Sequence, residues 1–400
     1  MYAFNILLVT FSQFHINNNK PMYKKTFQLC VFIAMTAMLT SLCSYKKFSD
    51  ERIALKDAFN GVFLIGTALN TDQIRGVDTA SVRIIKSQFN AIVAENCMKS
   101  ELLQPKEGIF DFSMADRFVQ FGQSNNMFVT GHTLIWHSQT PSWFFIDSEG
   151  NDVSRDVLIE RMKKHIYTVV GRYKGRVKGW DVVNEVIDDK DGSYRKSKFY
   201  QIIGEDYIKL AFQFAHEADP EAELYYNDYS LTNPNKRRGA VNMIKKLQSQ
   251  GVQIDAVGEQ CHIGLEEPSI ESYEQTITEF AALGVKLIIS EMDISVLPMD
   301  WSLGADVSAR VDYKTKSDLY VNGLPDSVNT LFEARYMEFF KLFFKHKDVI
   351  SRVTLWGVTD AQSWKNGWPI PGRTDYPLLF DRKYQAKPIV SKIVNEIKGH

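Results

Sequence analysis

Eight short runs of β-branched and aromatic residues, each followed by a longer stretch of three- and four-residue apolar spacing, constrain this chain more than any other feature. The runs fall at 62–68, 91–95, 127–132, 177–184, 223–227, 256–260, 286–291 and 353–357. Most are continuously apolar rather than alternating, as strands buried on both faces are. The stretches between them read as helices. Leu158, Met162, Ile166, Val169 and Tyr173 recur on one helical face, and so do Ile203, Tyr207, Ala211, Phe214 and Ala218. Phe332, Tyr336, Phe339, Phe340 and Phe343 form a third such face. Each of these faces needs a sheet to cover it. Gly251 and Gly284 stand where two helices should end and the next strands begin. Eight strand–helix alternations favour an α/β fold closed as a (β/α)8 TIM barrel over a doubly wound sheet.

The alternation runs without a Pro- or Ser-rich linker or an internal repeat, so residues 50–400 are expected to form one barrel domain. Its longest irregular stretch, 297–328, holds Trp301, Asp306 and Tyr313, and either walls a cleft or elaborates the surface. Residues 1–49 read as a targeting segment. Lys24 and Lys25 precede an apolar run at 27–43, and Met22 just before them is a natural start for a secretory signal. Cys43 ends that run as a lipoprotein cysteine would, although Leu42 is larger than the usual small residue, so a membrane anchor through lipidated Cys43 is a hypothesis. Secretion, to the periplasm or cell surface, is the expected location. Cys97 and Cys261 are expected as free buried thiols, because no CxxC or zinc-like spacing occurs. The near balance of 47 basic and 48 acidic residues gives no basic excess for a nucleic-acid partner.

Active sites of such barrels are built at the C-terminal ends of the strands. There this sequence places Glu95, Asn96 and Lys99 after the second run, and His132, Trp136 and Gln139 after the third. The fourth run ends in Asn184-Glu185, the sixth in Gln260-Cys261-His262, and the seventh in Glu291-Met292-Asp293. Trp356 and Trp364 follow the eighth. Folding does not call for such a ring of carboxylates, amides, imidazoles and indoles, since buried polar groups cost free energy unless paired. Glu185 and Glu291 come from opposite strands and suit the hydrolysis of a glycosidic bond. One carboxylic acid protonates the leaving oxygen, and the other attacks the anomeric carbon or activates water. A separation of roughly 5–5.5 Å would mean retention of configuration, and roughly 6.5–9.5 Å inversion. This chemistry needs no cofactor or metal. The acidic cluster Asp188-Asp189-Lys190-Asp191 reads as a solvated loop rather than a calcium site.

Longer motifs carry a family resemblance. FNAIVAENCMK (89–99), GHTLIWHSQTPSW (131–143), WDVVNE (180–185), LYYNDYSL (224–231), IISEMDI (288–294), LWGVTDAQSW (355–364) and PLLFDRKYQAKP (377–388) together resemble glycoside hydrolase family 10, the endo-β-1,4-xylanases. The likeness covers about residues 55–398. It implies cleavage of xylan or xylo-oligosaccharides with retention, Glu185 acting as acid/base and Glu291 as nucleophile. It implies that Asn184 bonds the 2-hydroxyl of the sugar beside the scissile bond. His262, supported by Asp293, would keep Glu291 ionised. Glu95, Asn96 and Lys99 would hold the next sugar, with His132, Gln139 and Gln260 adding hydrogen bonds. Trp136, Trp356 and Trp364 would line the sugar path, and Tyr229 would stand on the leaving-group side. An endoglucanase or mixed-linkage glucanase is the alternative enzyme, and a non-catalytic xylan-binding protein the alternative of another class. Glu259 departs from the resemblance, because an apolar residue usually stands there. It either faces the site or points toward the helices, where it needs a partner.

Overall fold

Each of the eight apolar runs becomes a strand, and each strand is followed by a principal helix. The computed structural model describes residues 53–298 and 319–399, within the compact unit Ile53–His400. The targeting segment with Cys30 and Cys43, and the loop residues Trp301, Asp306 and Tyr313, lie outside the described residues. The strands are β1 Leu64–Leu69, β2 Ala91–Ala94, β3 Phe128–Trp136, β4 Gly179–Asn184, β5 Glu223–Asp228, β6 Ala256–Glu259, β7 Lys286–Ser295 and β8 Ile350–Leu355. The helices are α1 Thr79–Gln88, α2 Ser113–Ser124, α3 Arg155–Arg172, α4 Asp206–Ala218, α5 Pro234–Ser249, α6 Ile270–Ala281, α7 Asp326–Lys345 and α8 Pro388–Lys398.

All neighbouring strands pair in parallel. β1 pairs with both β2 and β8, and β6 pairs with both β5 and β7, so the sheet closes on itself. A further short strand, His262–Gly264, runs beside the extended end of β7. The barrel expected from periodicity is therefore the one formed. β3 and β7 run four residues past their expected ends. Their extra residues are Thr133–Trp136 and Met292–Ser295, and both stretches carry polar groups into the mouth.

The helices start where the sequence offers caps. Asp78, Ser154, Asn233 and Ser269 each accept a backbone N–H of the first turn of α1, α3, α5 and α6. Gly251 and Gly284 take φ of +74° and +75° just past α5 and α6, as a helix-ending glycine does. Between sheet and helices lies the main apolar core, into which Phe339 and Phe343 of α7 and Leu158, Met162 and Ile166 of α3 are fully buried. Inside the barrel the filling is different. Tyr225, Ala256 and Ile288 pack together, and the Arg352 guanidinium lies over the rings of Phe128 and Tyr225 at 4.8 and 5.4 Å.

Gly131 in β3 shows how tightly adjacent strands are matched. A Cβ there would sit 2.1 Å from the ring of Trp180, a fully buried side chain of β4. The two residues are direct partners in paired strands, so relief of the clash must disturb that pairing or the buried ring. Gly131→Ala is expected to lower unfolding stability by about 1–3 kcal/mol or more, the range for overpacked cores. Urea unfolding checks this; a midpoint equal to that of the parent chain would refute it.

Candidate active site

β4 delivers Asn184 and then Glu185 to the C-terminal mouth of the barrel. Glu185 adopts φ +58°, a left-handed conformation costing a non-glycine residue roughly 1–2 kcal/mol. Its backbone is tied down on both sides. Its N–H donates to the Asn227 carbonyl at 2.9 Å, and its own carbonyl accepts from Arg195 Nε at 2.8 Å. The turn aims the carboxyl into the mouth, where Oε2 accepts from Trp136 Nε1 at 2.8 Å. Oε1 accepts from Gln260 Nε2 at 3.1 Å and Asn184 Nδ2 at 3.2 Å.

Glu291 arrives from β7. Asn227 Nδ2 donates to its Oε1 at 2.8 Å and also to Asn184 Oδ1 at 2.9 Å. The two carboxyls are thus joined through a pair of amides that keeps each carboxyl's orientation fixed relative to the other's. Asn227 is itself oriented by Ser290 Oγ, which donates to its Oδ1 at 2.6 Å. On the other side, His262 Nε2 lies 3.3 Å from Glu291 Oε2, while His262 Nδ1 lies 3.0 Å from Asp293 Oδ2. The short strand beside β7 sets this up by pairing His262 with Asp293. Trp364 Nε1 donates to the same Asp293 oxygen at 2.6 Å.

The two glutamates sit in opposite electrostatic settings. Each keeps 4% of its surface open, enough to meet a substrate but not to be solvated like a surface group. Burial raises the Glu185 carboxyl above its usual range, and the bonds from Gln260 and Trp136 only partly oppose it. Burial also pushes Glu291 upward. There it is outweighed by the His262 hydrogen bond, the neighbouring imidazoles and the Asn227 amide, so Glu291 lies below the usual range. His262 is raised to about 9: burial disfavours its charge, but Asp293 and Glu291 more than compensate. Glu185 is therefore the carboxyl that more readily keeps a proton, and Glu291, beside the raised His262, the one that more readily stays ionised. Two carboxyls pushed apart in this way can divide acid and nucleophile roles between them.

The remaining rim residues converge as expected from the sequence. Lys99 Nζ donates to Asn96 Oδ1 at 3.0 Å and Gln139 Oε1 at 2.9 Å, and stands 5.0 Å from the Trp136 ring centre. Burial lowers its basicity against the attraction of Glu291, Glu95 and Glu185, and Glu95 is raised by burial against Lys99. His132 Nδ1 lies 2.8 Å from Asp181 Oδ2 and packs edge-on against Trp356. Trp364 lies against His262, and Trp368 is buried and stacked on Trp364 at 4.7 Å.

Other expectations sort themselves by direction. Cys97 and Cys261 are free and buried. Tyr229, expected on the leaving-group side, is 1% exposed with its hydroxyl turned to Asp189 and Arg195, so it braces the loop that follows β4. Asp188 and Asp191 accept backbone N–H groups of their own loop, and no carboxylate cluster of metal-binding geometry occurs among the described residues. Glu259 points away from the mouth. A Cβ on Gly258 would strike Asn227 and Ser290, so the next residue of the strand faces the helices. There Glu259 accepts the Leu231 N–H at 3.0 Å, and burial pushes its carboxyl up to about 7. Asn227, Asp181, Ser290 and Arg195 were not singled out from the sequence. The signal for Asn227 was present in the Asn-Asp pair ending β5, an amide where an apolar strand meets the mouth.

Comparison with known proteins agrees with this geometry. The model of the family described as glycosyl hydrolase family 10 matches residues 54–396. Endo-1,4-beta-xylanase A of Xylanibacter ruminicola is 51% identical over 347 residues, covering 86% of this chain and 94% of that protein. An endo-1,4-beta-xylanase of Geobacillus stearothermophilus is 41% identical over 86% of this chain and 98% of its own length. Among solved structures, a GH10 endoxylanase from a sugarcane soil metagenome superposes with a TM-score of 0.83 at 45% identity, over 86% of this chain and 100% of that one. Xylanase XynB of Paenibacillus barcinonensis, complexed with a conduramine derivative, gives 0.77 at 37% identity, over 86% and 99%.

Proposed function

The chain belongs to glycosyl hydrolase family 10, and from that premise we propose how its residues share the work of a retaining endo-1,4-β-xylanase. It hydrolyses internal β-1,4-xylosidic linkages of xylan and xylo-oligosaccharides. The observation that carries the division of labour is the opposed setting of two carboxyls bound through shared amides.

Glu185 holds the proton and gives it to the departing glycosidic oxygen. Ionised Glu291 attacks the anomeric carbon from the opposite face, forming a covalent glycosyl–enzyme. Glu185, now ionised, takes a proton from water, which attacks the same carbon and releases the sugar with its original configuration. Asn184 binds the 2-hydroxyl beside the scissile bond, and His262 with Asp293 keeps Glu291 charged. Glu95, Asn96 and Lys99, with Gln139 behind the lysine, hold the next sugar toward the non-reducing end. His132 and Gln260 add hydrogen bonds. Trp136, Trp356 and Trp364 give the sugars apolar surface.

Proton NMR of freshly cleaved xylan oligosaccharides tests the reading. The β-anomer should appear first, and carboxymethyl cellulose should be cut far more slowly. A first-formed α-anomer, or equal rates on both polymers, would sink it. Export of the enzyme is part of the proposal. Its support is the basic-then-apolar order of residues 24–43 and the nature of xylan, a polymer that does not cross a membrane. Mass spectrometry of the mature N-terminus decides between a cleaved, unmodified start and an acylated Cys43.

A further inference from the structure

Beneath the turn that follows β4 lies a set of charges that the chemistry above does not use. The chain leaving β4 folds back on itself, with Ile187 bridged to Tyr194 and the Arg195 N–H bonded to the Val186 carbonyl. This brings the Arg195 guanidinium under the backbone of Glu185. Its Nε donates to the Glu185 carbonyl at 2.8 Å, and its Nη2 to the Tyr229 hydroxyl at 2.9 Å. The Tyr229 hydroxyl donates to Asp189 Oδ2 at 2.6 Å. Asp189 also receives Lys236 Nζ at 2.6 Å, and that ammonium reaches Asp228 Oδ1 at 2.9 Å and lies 3.4 Å from the Tyr229 ring centre. The side chains of Lys236 and Asp228 are fully buried. The folded-back loop is locked onto α5 as well, since a Cβ on Gly192 would meet the Asn235 carbonyl at 2.1 Å.

Buried charges at this density are costly to assemble unless their geometry is good. Here every member leads toward one point, the peptide of Glu185, whose left-handed φ is unfavourable without support. We propose that Arg195 is a positioning residue for Glu185. Braced by Tyr229, Asp189, Lys236 and Asp228, it holds the Glu185 peptide in the turn that places the carboxyl on the glycosidic oxygen. This rests on reading Glu185 as the acid/base.

Arg195→Met keeps most of the stem and removes every side-chain donor. Its effect should depend on how much the leaving group needs a proton. On xylotetraose, kcat/KM should fall by about 30-fold, within the range that misplacing a reacting group costs. On 2,4-dinitrophenyl β-xylobioside, whose leaving group departs unprotonated, kcat/KM should fall by less than about threefold. Glu185→Gln is measured on the same pair. If it shows the split and Arg195→Met falls equally on both substrates, or on neither, the positioning role is overturned while the acid/base reading stands. If Glu185→Gln shows no split, the acid/base reading fails and takes the positioning role with it. Should Arg195→Met not fold, Tyr229→Phe removes only the bracing hydroxyl. A smaller loss confined to xylotetraose supports the proposal, and an equal loss on both substrates, or none, overturns it.

Discussion

Replacing Glu291 with alanine is expected to lower kcat on xylotetraose by about ten-thousandfold or more, at least about 5.4 kcal/mol of transition-state stabilisation. The side chain lost is the one that bonds to carbon, so no other residue substitutes for it. Removing a nucleophile in enzymes whose catalytic groups act as a unit has effects on this scale. The space left is bounded by Asn227 and cationic His262, a setting that favours a small anion. Sodium azide should therefore restore turnover of an activated aryl xyloside and yield the α-xylosyl azide, because the anion attacks from the face that Glu291 occupied. Mass and NMR analysis of that product is the check. A β-xylosyl azide would place the nucleophile elsewhere, and retention of more than about one per cent of activity would remove Glu291 from the role.

The second large effect is expected at Glu185. Glu185→Gln should reduce kcat/KM on xylotetraose by roughly a hundred- to ten-thousandfold, the usual worth of a positioned general acid. The same substitution should spare the first step on a dinitrophenyl substrate. The pH profile gives an independent reading. Glu291 works ionised and its carboxyl lies below the usual range, so the acid limb should fall below about pH 4.3, the ordinary glutamate value. Glu185 works protonated and burial raises it, so the alkaline limb should lie above that value. Activity between the limbs should be bell-shaped. Glutamine does not titrate, so the alkaline limb should vanish in Glu185→Gln; a limb that persists unchanged belongs to another group. One such group is His262, whose loss of charge near pH 9 would weaken the hold on Glu291.

Much of this enzyme was legible before any coordinates. The strands were visible because burial on both faces makes a run continuously apolar, and the helices because their faces repeat every three or four residues. Glu185 and Glu291 stood out because each ends such a run with a charge that the core would not accept. Trp136 and His262 were found in the same way, but their partners were not. Nothing local in the sequence says that Trp136 donates to Glu185 rather than to solvent, or that Asp293 shares its carboxylate between His262 and Trp364. Those contacts join residues 49, 31 and 71 positions apart.

By itself the sequence favoured the closed barrel through its periodicity, and marked the polar rim through the cost of burying charge. The roles of the two acids on that rim came with the family motifs. The tertiary structure decided which way the residues at each strand end point. Along a strand the side chains alternate, and the β4–β5 register shifts between Asp181 and Val183, so a single residue decides between mouth and outer layer. Asn227 falls inside and links the two acids, whereas Asp228 and Glu259 fall outside among the helices. Arg195, ten residues beyond Glu185, comes back to hold the peptide of Glu185 only because the loop between them folds onto α5.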